Sequence, residues 1–199
     1  MTNPSVAIVI LAAGESARMG LPKQLLPMRG KNLLRHTVEQ AAASKAREVY
    51  VVLGFEFERI RNKLPDGRHK VVVNLQWTEG MSSSMRAGIS ALPETVDAAI
   101  IALCDQPFLS SRIFDSLIDA FVSSGKPIIA SEFGDSIGPP VLFSRKYFSE
   151  LTSLQGDAGA KKVVLDHTEN VARVPFPSGS VDLDTPEDYR KFLQKDLGM

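Results

Sequence analysis

Val6-Ala-Ile-Val-Ile-Leu-Ala-Ala-Gly-Glu-Ser-Ala-Arg-Met-Gly-Leu-Pro-Lys-Gln-Leu-Leu-Pro27 is the stretch that decides the architecture. Its opening, Val6 to Ala12, is apolar without a break. That pattern belongs to a strand buried on both faces, as in a parallel sheet with helices above and below it. A sheet open to water on one side would alternate apolar and polar residues instead. Gly14, Glu15 and Arg18 follow at once, and no basic leader precedes the run. An apolar segment this short fits neither a secretion signal nor a membrane span.

The rest of the chain repeats the theme. Glu48–Gly54, Lys70–Leu75, Ala98–Cys104 and Ile128–Ser131 read as further strands. Between them, helical spacing appears over Leu33–Ala43, Phe55–Leu64 (closed by Pro65), Ser82–Leu92 (opened by serines, stopped by Pro93) and Ser110–Ser123. Strands alternating with helix-length crossovers predict an α/β fold: three α-β-α layers around a mostly parallel, Rossmann-like sheet. After Glu132 the rhythm loosens. Strands are expected at Val141–Phe143 and Val171–Val174, and helices at Arg145–Leu151, Ala158–Asp166 and Pro186–Leu193. Gly138-Pro-Pro reads as a rigid corner before a strand or the wall of a pocket.

Composition bounds the function. The 199 residues suit one domain, with no linker or repeat to divide them. Lys plus Arg number 23 and Asp plus Glu 23, so no net charge favours nucleic acid or an anionic membrane as partner. A single cysteine, Cys104, leaves no intrachain disulfide and no cysteine-built zinc site, and points to a cytoplasmic protein.

In an open parallel sheet, ligands gather beyond the carboxyl ends of the strands. The loop after the first strand, Leu11-Ala12-Ala13-Gly14, offers backbone N–H groups to an anion, and Arg18 and Lys23 add two cations nearby. It matches neither a Walker A loop nor the dinucleotide glycine pattern. Asp105 directly follows the Ala98–Cys104 strand and suits Mg²⁺, a hard cation that binds one or two carboxylates plus substrate phosphates. Asp105 as a helix cap is the alternative, but Ser110 and Ser111 are better placed for that. Asp182 and Asp184 alternate along an extended segment, which places them on one side. Thr185, Pro186 and Asp188 then form a helix start. Serines at 82–84 open a helix toward a polar ligand, with Arg86 either adding charge or lying solvated. The scattered His36, His69 and His167 suit surface or core-edge roles, and Cys104 a buried structural one.

These segments carry a resemblance. Leu11-Ala-Ala-Gly, Arg18-Met-Gly, Pro22-Lys-Gln-Leu-Leu-Pro27, Glu79-Gly-Met-Ser-Ser-Ser-Met-Arg-Ala-Gly-Ile89, Asp105-Gln-Pro and Asp182-Leu-Asp-Thr-Pro-Glu-Asp188 resemble the Rossmann-like nucleotidyltransferase superfamily. Pro140-Val-Leu-Phe143 and Leu154-Gln-Gly-Asp-Ala-Gly-Ala160 are similar to its molybdenum-cofactor branch, the molybdenum cofactor cytidylyltransferases. The branch usually has glycine where this chain has Cys104.

The resemblance implies a nucleotide-binding part over about residues 1–130 and an acceptor-binding part over about 131–199. Leu11, Ala12, Ala13, Gly14, Gly80 and Ser84 would contact the nucleotide, and Arg18 and Lys23 its triphosphate. Asp105 and Asp182 would hold Mg²⁺ or Mn²⁺, with Asp184 the less favoured second ligand. The implied reaction transfers CMP from CTP to the phosphate of a molybdopterin-type cofactor, for delivery to a recipient molybdenum enzyme or its chaperone. A methyl at Ala13 narrows the base slot against a purine. Two alternatives stay open: a sugar phosphate or methylerythritol phosphate as acceptor, and a non-catalytic cofactor chaperone. A glycosyltransferase would want Asp-x-Asp where Asp105-Gln-Pro stands.

Overall fold

In a computed structural model that describes residues 4–197, the first strand, β1 (Val6–Ala12), lies in the interior of the sheet with all seven residues buried. Two short strands, β2 (Pro27–Met28) and β3 (Lys31–Asn32), form a separate hairpin before α1 (Leu33–Ala42). The chain then runs through β4 (Glu48–Leu53), α2 (Phe57–Arg61), β5 (Lys70–Val73), α3 (Met81–Ser90), β6 (Ala98–Leu103) and α4 (Ser111–Ser124). It continues with β7 (Ile128–Phe133), β8 (Ser136–Ser144), α5 (Phe148–Ser153), α6 (Ala160–Asp166), β9 (Val171–Pro175) and α7 (Pro186–Leu197).

Seven strands pair in the order β5-β4-β1-β6-β8-β7-β9. All neighbours are parallel except β8, which runs antiparallel to both β6 and β7. The period-2 geometry of a strand divides β1 between two cores. Val6, Ile8, Ile10 and Ala12 pack with α1, α2 and α4, while Ala7, Val9 and Leu11 pack with α3, α5 and α6. This is the three-layer α/β arrangement expected from the unbroken apolar runs. A third, smaller cluster joins Met19, Leu26, Met28 and Leu33 to Leu183 and Phe192, so it ties the segment after β1 to the stretch before α7 and to the middle of that helix.

Several local expectations need correction. The serines do not open α3. Gly80 is its N-cap, at φ +97°, and Ser82 to Ser84 lie buried in the first turn. A Cβ on Gly80 would meet the Gly156 carbonyl oxygen at 2.5 Å, so close backbone approach selects glycine there. Gly138-Pro-Pro is no corner: it lies inside the long β8, where the register with β7 shifts between Ala130 and Ser131. A bulge accommodates proline within a ladder because proline lacks the donor that a regular position needs. Ser110 does occupy the N-cap of α4 but makes no side-chain capping bond; Gln40 Oε1 instead accepts from the Ser111 N–H at 3.0 Å.

The packing of α3 on the sheet depends on Gly88. A Cβ there would overlap the Val9 Cγ1 methyl and press on Val52 Cγ2 at 3.0 Å. Both valines are buried and β-branched, so neither rotates away freely. Ala in place of Gly favours a helix interior by about 1 kcal/mol, whereas overpacking a core costs about 1–3 kcal/mol. Gly88→Ala is therefore expected to destabilise the protein, seen as a lower urea midpoint. A raised midpoint would contradict the close contact.

Candidate active site

Reading outward from β1, the sheet order reverses: β4 and β5 follow on one side, and β6 lies on the other. The crevice beyond the carboxyl ends of β1 and β6 is the switch point at which such sheets bind ligands. A cleft of about 410 Å³ opens there. Leu11, Ala12, Ala13, Gly14, Lys23, Gly80, Ser84 and Asp105 all line it. Arg18 and Asp182 do not. Arg18 lies outside with its side chain 73% exposed, and Asp182 lines a neighbouring recess floored by Phe108 and Phe192.

The loop after β1 is held from beneath. Gln24, buried, donates through Nε2 to the carbonyl oxygens of Ala12 and Gly14, each at 2.9 Å. Ser16 takes a left-handed conformation (φ +61°), its carbonyl accepts from the Met19 N–H, and its hydroxyl accepts from the Lys23 N–H. The turn thus returns Lys23 to the cleft. A Cβ on Gly14 would meet nothing within 4 Å, which leaves its backbone open to a ligand.

Across the crevice stand the carboxylates. Lys23 Nζ lies 2.5 Å from Asp105 Oδ2 and 3.0 Å from Asp184 Oδ1, while Arg18 Nη2 lies 3.0 Å from Asp184 Oδ2. Burial alone would lower the Lys23 pKa, but Asp105 and then the hydrogen bonds to Asp105 and Asp184 hold it above the ordinary value. The remaining Asp105 oxygen, Oδ1, is buried with no hydrogen-bond partner. Asp182 is pushed up to about 6, first by burial and then by the negative charges of Asp105 and Asp184. Leu183, fully buried between the two aspartates, donates its N–H to the Asp105 carbonyl at 3.0 Å. Asp184 meets Lys23 and Arg18, while Asp182 lies close enough to Asp105 and Asp184 to feel both charges.

This chemistry suits a divalent cation. A buried carboxylate oxygen without a donor, and a second carboxyl group whose ionisation is opposed by burial and then by its neighbours, are both relieved by positive charge. Among the described residues, no group of three or more His, Cys, Asp or Glu forms a metal shell by itself. Two carboxylates completed by substrate oxygens is an ordinary Mg²⁺ arrangement. Cys104 is buried, and burial followed by the Asp105 charge pushes its thiol up to about 12, so it is no nucleophile at neutral pH.

On the opposite wall, Asn74 fixes the start of α3. Its Nδ2 donates to Ser83 Oγ at 2.9 Å and to Ser84 Oγ at 3.1 Å. Trp77 joins the wall, edge-on to Phe55 with ring centroids 5.5 Å apart, and Asp157 reaches it from the second half of the chain. Arg86 turns out to be paired with Glu79 on the exposed face of α3 and is absent from the cleft. His36 meets the Leu109 carbonyl and His167 meets Glu150, both away from the cleft. Sequence reasoning missed Gln24, Asn74, Trp77 and Asp157. The signal for Gln24 was present in Lys23-Gln24, but its role needs the folded loop to be seen. Gln106, likewise buried, donates to the Pro139 and Gly179 carbonyls and ties the Asp105 loop to β8 and the segment before Asp182.

Comparison with known proteins places this geometry in a family. Residues 8–171 match the MobA-like NTP transferase domain. Nicotine blue oxidoreductase of Paenarthrobacter nicotinovorans is 33% identical over 96% of this chain and 97% of its own. Purine catabolism protein PucB of Bacillus subtilis is 29% identical over 95% and 96%. Among solved structures, Rv0371c of Mycobacterium tuberculosis is 30% identical, covers 97% of this chain and all of that one, and superposes with a TM-score of 0.84. A second structure of that protein, in complex with manganese, is similar with a TM-score of 0.79 over 96% of this chain and 98% of that one. The sheet, the crevice and these matches together place the chain in the MobA-like NTP transferase domain family of the nucleotidyltransferase superfamily.

Proposed function

We propose that the protein is a divalent-cation-dependent nucleotidyltransferase that moves a nucleoside monophosphate, CMP by preference, from an NTP to the phosphate of a molybdopterin-type cofactor. The observation that carries this reading is the buried, half-satisfied Asp105 carboxylate facing the Gly14 loop across the crevice. The preference for CMP rests on Ala13, whose methyl is buried and lines the cleft. Its manganese-complexed relative is consistent with Mg²⁺ or Mn²⁺ as the ion.

In this reading, Leu11 to Gly14, Gly80 and Ser84 bind base and phosphates, and Lys23 and Arg18 neutralise the triphosphate. Gln24 turns two loop carbonyls inward, which leaves neighbouring N–H groups for the ligand. A cation held by Asp105 and Asp182 would supply charge neutralisation at the α-phosphate and the leaving pyrophosphate. An acceptor phosphate oxygen forms a bond to the α-phosphorus, and the bond from that phosphorus to the bridging oxygen breaks. The electron pair leaves with pyrophosphate. The acceptor is already ionised near neutral pH, so positioning and charge suffice and no general base is needed. The first part of the chain, to about residue 130, serves the nucleotide and the remainder the acceptor.

The direct test incubates the protein with Mg²⁺ or Mn²⁺, each of the four NTPs and molybdopterin or molybdenum cofactor. Pyrophosphate release fastest with CTP is expected, and none with any nucleotide would overturn the reading. Asp105→Asn should lower turnover about 100-fold, the scale of losing one major electrostatic stabiliser. Unchanged turnover would remove Asp105 from the centre.

Asp182 makes a pH-dependent prediction for the metal-free protein. Its pKa is raised on folding from 3.8 to about 6, so ionisation costs stability as pH rises through that window. Asp182→Asn is therefore expected to raise the melting temperature at about pH 8 and to leave it nearly unchanged near pH 4. Thermal melts across that range check it, and a variant less stable at the higher pH would contradict it.

A further inference from the structure

The Lys23 ammonium stands where the acidic cluster needs a cation. It contacts Asp105 and Asp184 together, with 18% of the Lys23 side chain and 12% of the Asp105 side chain exposed. Charges this sheltered are screened little by salt. The two carboxylates differ in what else holds them. Asp184 is also paired with Arg18, through its other oxygen. Among the described residues, Asp105 forms an ion pair with Lys23 alone, and its Oδ1 has no partner. If Lys23 leaves, Asp184 keeps a counter-ion and Asp105 loses its own.

Lys23 is also built to leave. Its backbone is fixed by the bond from its N–H to Ser16 Oγ at 3.2 Å, while its ammonium rides on a flexible four-carbon stem. Both Lys23 and Asp105 line the nucleotide cleft. A triphosphate seated there carries several negative charges and competes with the carboxylates for the ammonium.

On the nucleotidyltransferase reading given above, we infer that Lys23 is the resident counter-ion of Asp105, and that an incoming nucleoside triphosphate draws it off and opens Asp105 to a divalent cation. In the free protein, Lys23 and the cation compete for one carboxylate. Nucleotide and cation binding are then positively coupled, and the coupling works equally in both directions. An ion that arrives alone is held weakly, which keeps the centre from assembling without its substrate.

The test titrates Mn²⁺ into nucleotide-free wild type, Lys23→Met, Asp105→Asn and the double variant, with free Mn²⁺ read by electron paramagnetic resonance. Lys23→Met is expected to bind Mn²⁺ about tenfold tighter than wild type, within the usual range of such couplings. Adding Asp105→Asn should abolish that gain. Thermal melts give a second readout: Lys23→Met leaves sheltered carboxylates unpaired and melts below wild type, and Mn²⁺ raises its melting temperature more than that of wild type. Where Lys23→Met does not fold, Lys23→Gln serves, with the same expected gain. Unchanged or weaker Mn²⁺ affinity in the folded Lys23 variant overturns the counter-ion role even if Asp105→Asn weakens binding. Mn²⁺ binding that Asp105→Asn leaves untouched in both backgrounds overturns the metal assignment itself.

Discussion

The ion pair between Lys23 and Asp105 joins the two halves of the crevice. One partner comes from the turn after β1 and the other from the end of β6. Both strands are anchored by residues with no exposure to water, and Asp105 stands two residues beyond the end of β6. Packed strands are the appropriate base for groups whose separation decides their chemistry. The cost of sheltering two charges is accepted at this place and offset by additional bonds, from Lys23 to Asp184 and from Arg18 to Asp184.

Around that pair, amide side chains do the fine positioning. Gln24 holds the first loop, Gln106 holds the Asp105 loop, and Asn74 holds the start of α3. Each is buried and bonds groups outside its own element. Neutral amides hold backbone carbonyls and hydroxyls without adding net charge to a site that already balances cations against carboxylates. The electroneutral composition of the whole chain therefore conceals a centre in which charge is sharply divided.

How legible each part was depended on the range of the interaction. β1, β4 and β6 were plain because burial on both faces writes itself as an unbroken apolar run. The start of α7 was equally plain. Thr185 and Asp188 exchange hydrogen bonds three residues apart, and local capping needs only local sequence. The antiparallel β8 was seen only in part, over Val141–Phe143, since the prolines at 139 and 140 read as a break. Their tolerance comes from a bulge in β8 itself, where Ala130 pairs Val141 and Ser131 pairs Gly138, so both prolines fall outside the regular ladder. Asp105 was found from its place at a strand end. The pairing of Asp184 with Lys23 and Arg18 was not, because it needs the loop after β1 to meet the segment before α7. Gln24, Asn74 and Asp157 escaped for the same reason: their roles exist only after distant segments have met.

What Asp105 holds when substrate is present decides how the centre works. A crystal structure of the protein with Mn²⁺ and a non-hydrolysable CTP analogue measures that directly. Manganese is expected on Asp105 and the Lys23 ammonium on a phosphate, with Arg18 in reach of Asp184 or the triphosphate. Lys23 still bonded to Asp105, with the metal bound elsewhere or the nucleotide outside the Gly14 loop, would contradict that expectation.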